Sequence, residues 1–199
     1  MAVVAEGCRV HFEQPEAAEV LAGALRDLLR GLGVPGRPLV YLCIGTDRST
    51  GDALGPLVGD ELQRRVGGLA AVVGTLDAPV HASNLQEVLR SLYARDPAAV
   101  VVAVDACLGR SESVGAITVG CGALAPGAGV NKSLPTVGAA FVTGIVNVGG
   151  FMEYFVLQNT RLQLVMRMAG VISEGLALAA SEAAVQGASG AALPVGASA

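Results

Sequence analysis

Residues 98–107, AAVVVAVDAC, are apolar at every position but one. A strand with one wet face alternates apolar and polar residues, and this one does not. It therefore has to be covered on both faces, which is the signature of a parallel sheet between layers of helix. The rest of the chain supplies such layers. Helical apolar spacing runs through 16–33, 52–68 and 84–96, and the first two of these end at Gly. Strand-like runs occupy 37–45 and 69–76. Strand, helix, strand, helix, strand in that order predicts right-handed crossovers and an α/β sandwich.

Beyond Asp105 the character changes. Residues 113–120 read as a short strand, 122–138 as a long Gly/Pro-rich functional loop, and 140–150 as another strand. Residues 151–184 have near-helical apolar spacing, as one long helix or two separated near Gly170. The expected division is a helical arm over 1–37, an α/β domain over 38–184 and a disordered low-complexity tail over 185–199. No internal repeat is visible.

Composition narrows the function. The chain has 199 residues, 52% of them hydrophobic and 15% charged, so it can bury a large core. Trp is absent and aromatics are few, so Val, Leu and Ala must build that core. The net charge is −4 and the basic residues are scattered, which argues against a nucleic-acid groove. The N-terminus lacks the basic start and apolar core of a signal peptide. The apolar 164–180 region is interrupted by Arg167 and Glu174, so no uncharged run is long enough to span a bilayer. A soluble cytoplasmic protein is expected. The four cysteines show neither CxxC nor zinc-ligand spacing and read as small buried hydrophobes.

Ligands of a parallel α/β sheet bind beyond the carboxyl ends of its strands. Here those ends carry Asp47 and Asp52 in CIGTDRSTGDALGP, His81 in TLDAPVHASN, and Asp105 in VDACLGR; the later loop adds Asn131 and Lys132. The loop at 43–56 is not a phosphate loop, because it has no GxGxxG or GxxxxGK[ST] pattern and its own aspartates would repel an anion. Each residue also has a plain structural reading. Asp52 suits a helix N-cap, Asp105 a carboxylate that accepts loop N–H groups, His81 a loop histidine, and Lys132 a solvated charge. The pairing of Asp52 with Asp105 on one sheet edge is what points to chemistry.

These segments, with PGAGVNKSLPTVG and TGIVNVGGFMEYFVLQNTRL, resemble the YyaC family of spore proteases (DUF1256-like) from about Pro38 to the end of the long helix. That family is similar in turn to the germination protease, which degrades small acid-soluble spore proteins, and to the hydrogenase maturation proteases. The resemblance implies a three-layer α/β/α fold of phosphorylase/hydrolase type. It implies Asp52 and Asp105 as the catalytic pair and Asn131 and Lys132 as site neighbours; Asp47 and His81 are expected in supporting positions from their place at the strand ends, not from the resemblance. It implies a protein or peptide substrate, small acid-soluble spore proteins among them, and a sporulating cell as the setting. The maturation proteases bind metal with a third ligand, a histidine after the second acid. This chain has no histidine after Asp105, so no cofactor and no tightly bound zinc or nickel are expected. The leading expectation is an aspartic-type peptidase. The alternative is a non-catalytic sporulation protein that binds a peptide or partner on the same cleft.

Overall fold

The structure, a computed structural model, describes residues 7–127 and 134–190. The elements are β1 (Cys8–His11), α1 (Ala17–Gly31), β2 (Leu39–Cys43), α2 (Leu54–Arg65), β3 (Ala71–Val73), α3 (Leu85–Arg95), β4 (Val100–Gly109), β5 (Ala116–Cys121), β6 (Ala140–Val148), α4 (Glu153–Gln158) and α5 (Leu162–Gly190), with short 3₁₀ turns at Val34–Gly36 and Ser111–Ser113. The strands form one sheet in the order β1-β5-β6-β4-β2-β3. β3, β2, β4 and β6 are mutually parallel; β5 runs antiparallel to β6, and β1 pairs antiparallel with β5 and so runs with the other four. The fold is thus α/β with a mixed, mainly parallel sheet. The apolar run at 98–107 lies in β4, between β2 and β6, as its lack of alternation requires.

Alternate side chains divide between two cores. Leu39, Tyr41 and Cys43, with Val100, Val102 and Val104, face a core shared with α1, α2 and α5. Val40 and Leu42, with Val101 and Ala103, face a second core to which α3 contributes Leu85 and Leu92. The N-terminal segment is built into the first core rather than standing apart. Leu21, Leu25 and Leu29 of α1 are buried there, and β1 pairs with β5. By length and composition, Leu162–Val185 could cross a membrane. Half of that window is buried, and Val165, Met168, Ile172 and Leu176 belong to the first core.

The C-terminal helical region departs from expectation in two ways. The break falls after Gln158, not near Gly170. Asn159 closes α4, its Nδ2 donating to the Phe155 carbonyl at 2.8 Å. Thr160 is buried, with its hydroxyl donating to the Val156 carbonyl at 3.0 Å. Gly170 continues inside α5, and helix persists to Gly190, past the expected boundary at 184. The strand at 98–107 also runs on to Gly109, because β6 still pairs with it, through a register shift between Cys107 and Leu108.

Glycine lets α2 sit directly on the strand-end backbone. A Cβ at Gly55 would lie 2.0 Å from the Ile44 carbonyl oxygen, and one at Gly59 would lie 2.0 Å from that of Gly74. At Gly170 a Cβ would meet nothing within 4 Å. Gly55→Ala should therefore lower stability by about 1–3 kcal/mol or more, while Gly170→Ala should raise it by about 0.5–1 kcal/mol through helix propensity. Urea unfolding of both variants checks this. A neutral Gly55→Ala would mean that α2 does not pack at this distance.

Candidate active site at the carboxyl edge of the sheet

Two features of the backbone bring Asp52 to Asp105. First, β4 outlasts β2. Their pairing ends at Cys43 and Val104, after which the Ile44 N–H still donates to the Val104 carbonyl at 2.7 Å. Asp105 is therefore the first β4 residue flanked by the loop after β2 instead of by the strand. Second, that loop folds back on itself. The Thr46 N–H donates to the Asp52 carbonyl at 3.2 Å, and a Cβ at Gly45 (φ +148°) would lie 1.9 Å from that same oxygen. The far side of the loop is held by α4, since the Gly51 N–H donates to the Leu157 carbonyl at 2.8 Å. Asn147 ties the end of β6 to the same place, with Nδ2 donating to the Val156 carbonyl and to the Thr160 hydroxyl.

Asp52 is not the helix cap. The N-cap position of α2 is Ala53, whose methyl side chain cannot accept a capping hydrogen bond. Its carboxylate, partly buried, instead acts on Asp105. Burial first, and then the Asp52 charge, push the Asp105 carboxyl from its ordinary value up to about 8, against a smaller opposing pull from the Ala106 N–H, which donates to Asp105 Oδ1 at 2.9 Å. Asp105 retains some solvent contact, so water can reach the pair. Of the two carboxyls, Asp105 is the one that holds its proton at neutral pH.

The other residues singled out from the sequence are placed differently. Asp47 is exposed, and its Oδ1 accepts only a long 3.5 Å bond from the Thr46 hydroxyl. His81 lies in the loop after β3, beside the Asp52 loop, because the Gly45 N–H donates to the Val80 carbonyl. Its Nδ1 is 2.8 Å from the Ser83 hydroxyl, and its N–H donates to Asn84 Oδ1, so it organises the entry to α3. Asn131 and Lys132 lie outside the described residues. Among the described residues, no group of three or more His, Cys, Asp or Glu side chains forms a cluster suited to a metal ion.

Three neighbours carried no signal in the sequence, or only a faint one. Thr143 stands opposite Asp105 on β6. Cys107, two residues along β4 on the same face, has its thiol pushed up to about 11 by burial and then by the Asp105 charge, with a Thr143 hydrogen bond and the Arg9 charge acting the other way. That thiol is a poor nucleophile near neutral pH. Ser49 is buried in the Asp52 loop, and its hydroxyl has no protein partner among the described residues.

The raised Asp105 value has a consequence for stability. A carboxyl whose folded-state value exceeds its unfolded one binds its proton more tightly in the folded protein. Its contribution is fully present below about pH 4 and is lost as pH rises through about 8. Asp105→Asn should flatten the pH dependence of stability over that window, its advantage over wild type growing from pH 5 to pH 8. Urea midpoints across the range check this, and parallel curves for the two proteins would contradict it.

Comparison with other proteins places this site in context. The family model described as "Protein of unknown function (DUF1256)" matches residues 9–175. The chain is 57% identical over 143 residues to the "Uncharacterized protein YyaC" of Bacillus subtilis (strain 168), covering 72% of this chain and 70% of that protein. Among solved structures, the NiFe hydrogenase maturation protease HycI from Thermococcus kodakarensis KOD1 aligns with a TM-score of 0.40 at 17% identity, over 76% of this chain and 97% of that one. The family model spans both strand ends that carry the aspartates, and the chain belongs to the DUF1256 family.

Proposed function

We propose that this chain is a peptidase in which Asp52 and Asp105 share the acid and base roles. The observation that carries this reading is the perturbed Asp105 carboxyl, held protonated to about pH 8 by burial and by the neighbouring Asp52 charge. Perturbation by desolvation plus a specific charge partner, at the carboxyl edge of a parallel sheet, marks a functional site. In the proposed reaction the ionised Asp52 takes a proton from water. The protonated Asp105 donates a hydrogen bond to the scissile carbonyl oxygen and so stabilises the charge that develops there. The water oxygen adds to the carbonyl carbon, and on collapse the C–N bond breaks while Asp52 returns the proton it took to the leaving amine.

The surroundings suit a polypeptide. Phe151, Tyr154 and Phe155 are 82%, 66% and 58% exposed beside the loop that α4 holds. Exposed aromatics grouped at a site favour apolar partners. The same rim would serve the second reading, a sporulation protein that binds a peptide without cutting it. Small acid-soluble spore proteins are the substrates to try first, as the resemblance implies.

The test uses purified protein with small acid-soluble spore proteins, with and without added divalent metal, followed by mass spectrometry. Cleavage by the wild type is expected. Asp52→Asn and Asp105→Asn should each lower the rate about 10²–10⁴-fold. The double variant should be little worse than either single one, because groups that act as a unit are not additive. Near-normal cleavage by either single variant would end the dyad mechanism. Binding with no cleavage under any condition would favour the non-catalytic reading.

A further inference from the structure

The register of the sheet lines up four polar residues that are far apart in sequence. Arg9 on β1 pairs with Thr118 on β5, Thr118 pairs with Thr143 on β6, and Thr143 pairs with Asp105 on β4. Directly paired residues point to the same face. Here it is the face of the second core, because Val10, Ile117, Val119, Val142 and Val104 all point into the first. On this face α3 packs against β2 and the first half of β4, and Leu124, Leu134 and Val137 of the loop between β5 and β6 join the same core beside Phe141. Accordingly Thr118, Thr143 and Asp105 keep partial exposure although β5, β6 and β4 are interior strands, and Arg9 is exposed. The row is a polar shelf that leads from the aspartate pair to Arg9. The Arg9 side chain makes no ion pair or hydrogen bond among the described residues, yet its charge reaches Cys107, next to Asp105 on this face.

We propose that this shelf holds an extended peptide across the strands and that Arg9 anchors an acidic side chain of the substrate. This rests on the peptidase reading and names its specificity. Three inter-strand steps of about 4.8 Å place Arg9 about 14 Å from Asp105, a span that an extended chain covers in about four residues. The favoured acid therefore sits about four residues to one side of the scissile bond. The anionic pair at one end and the Arg9 guanidinium at the other also set direction, since an acidic side chain near Asp52 and Asp105 would be repelled. Arginine suits the role because its planar fork grips a carboxylate with two hydrogen bonds.

The test uses end-blocked peptides in which one Glu, or its isostere Gln, is moved along a fixed sequence. Blocking removes the terminal carboxylate as a competing source of charge. Cleavage is read by mass spectrometry with wild type, and binding by fluorescence anisotropy with Asp105→Asn. Wild type should prefer Glu over Gln by about tenfold at one register only. Arg9→Gln should erase that preference, Arg9→Glu should transfer it to Lys, and the control Arg95→Gln should retain it. Cleavage without a register preference, or a preference that survives Arg9→Gln, overturns the anchor while leaving the peptidase reading intact. If nothing is cleaved, the peptidase reading fails and the binding arm decides: a Glu preference lost with Arg9→Gln keeps the anchor, and no such preference removes it.

Discussion

The site depends on the direct seating of α2 on backbone. Gly55 lies against the Ile44 carbonyl and Gly59 against that of Gly74, with no side chain between them. Contact at this range leaves the loop from Gly45 to Ala53 little freedom, because both of its ends are fixed to the sheet. The Leu157 and Asn147 contacts hold it from the other side. Asp52 is thus delivered to the place where β4 runs past the end of β2. An acid pair in a region of lowered dielectric follows from that backbone geometry.

Burial and charge act in the same direction at Asp105. Desolvation disfavours its anion, and the Asp52 charge disfavours it further. The Ala106 N–H, which favours the anion, is the weaker influence. A purely structural aspartate at a strand end would show the reverse balance, with N–H donors outweighing burial. This is why the plain reading of Asp105 as a loop-satisfying carboxylate fits the structure poorly. The N-cap reading of Asp52 fails more simply, because Ala53 occupies that position.

Much of the fold was legible in the chain because burial on both faces leaves unbroken apolar runs. β2, β4 and β6 and the helices α1, α2 and α3 follow from that pattern within a few residues. β1 was missed because CRVH is only four residues with two polar ones, and its pairing with β5 is a long-range contact that leaves no local periodicity. The break before α5 was misplaced for a related reason. Gly170 looks like a helix breaker, but it occupies an open position inside α5, whereas the true break is built from side-chain bonds of Asn159 and Thr160. The aspartate pair was legible because topology alone brings successive strand ends to one edge. The row from Arg9 to Asp105 was not, because strand register is a property of the assembled sheet.

The central claim is that Asp105 is a carboxylic acid at neutral pH because burial disfavours its anion and the Asp52 charge beside it disfavours it further. Carboxyl-carbon NMR titration of labelled aspartate, assigned by the Asp105→Asn spectrum, reads this directly. Asp105 should titrate near pH 8 in the wild type, and its midpoint should move down in Asp52→Asn, where the neighbouring charge is gone. A midpoint near 4, the ordinary carboxylate value, unchanged by Asp52→Asn, would contradict the account.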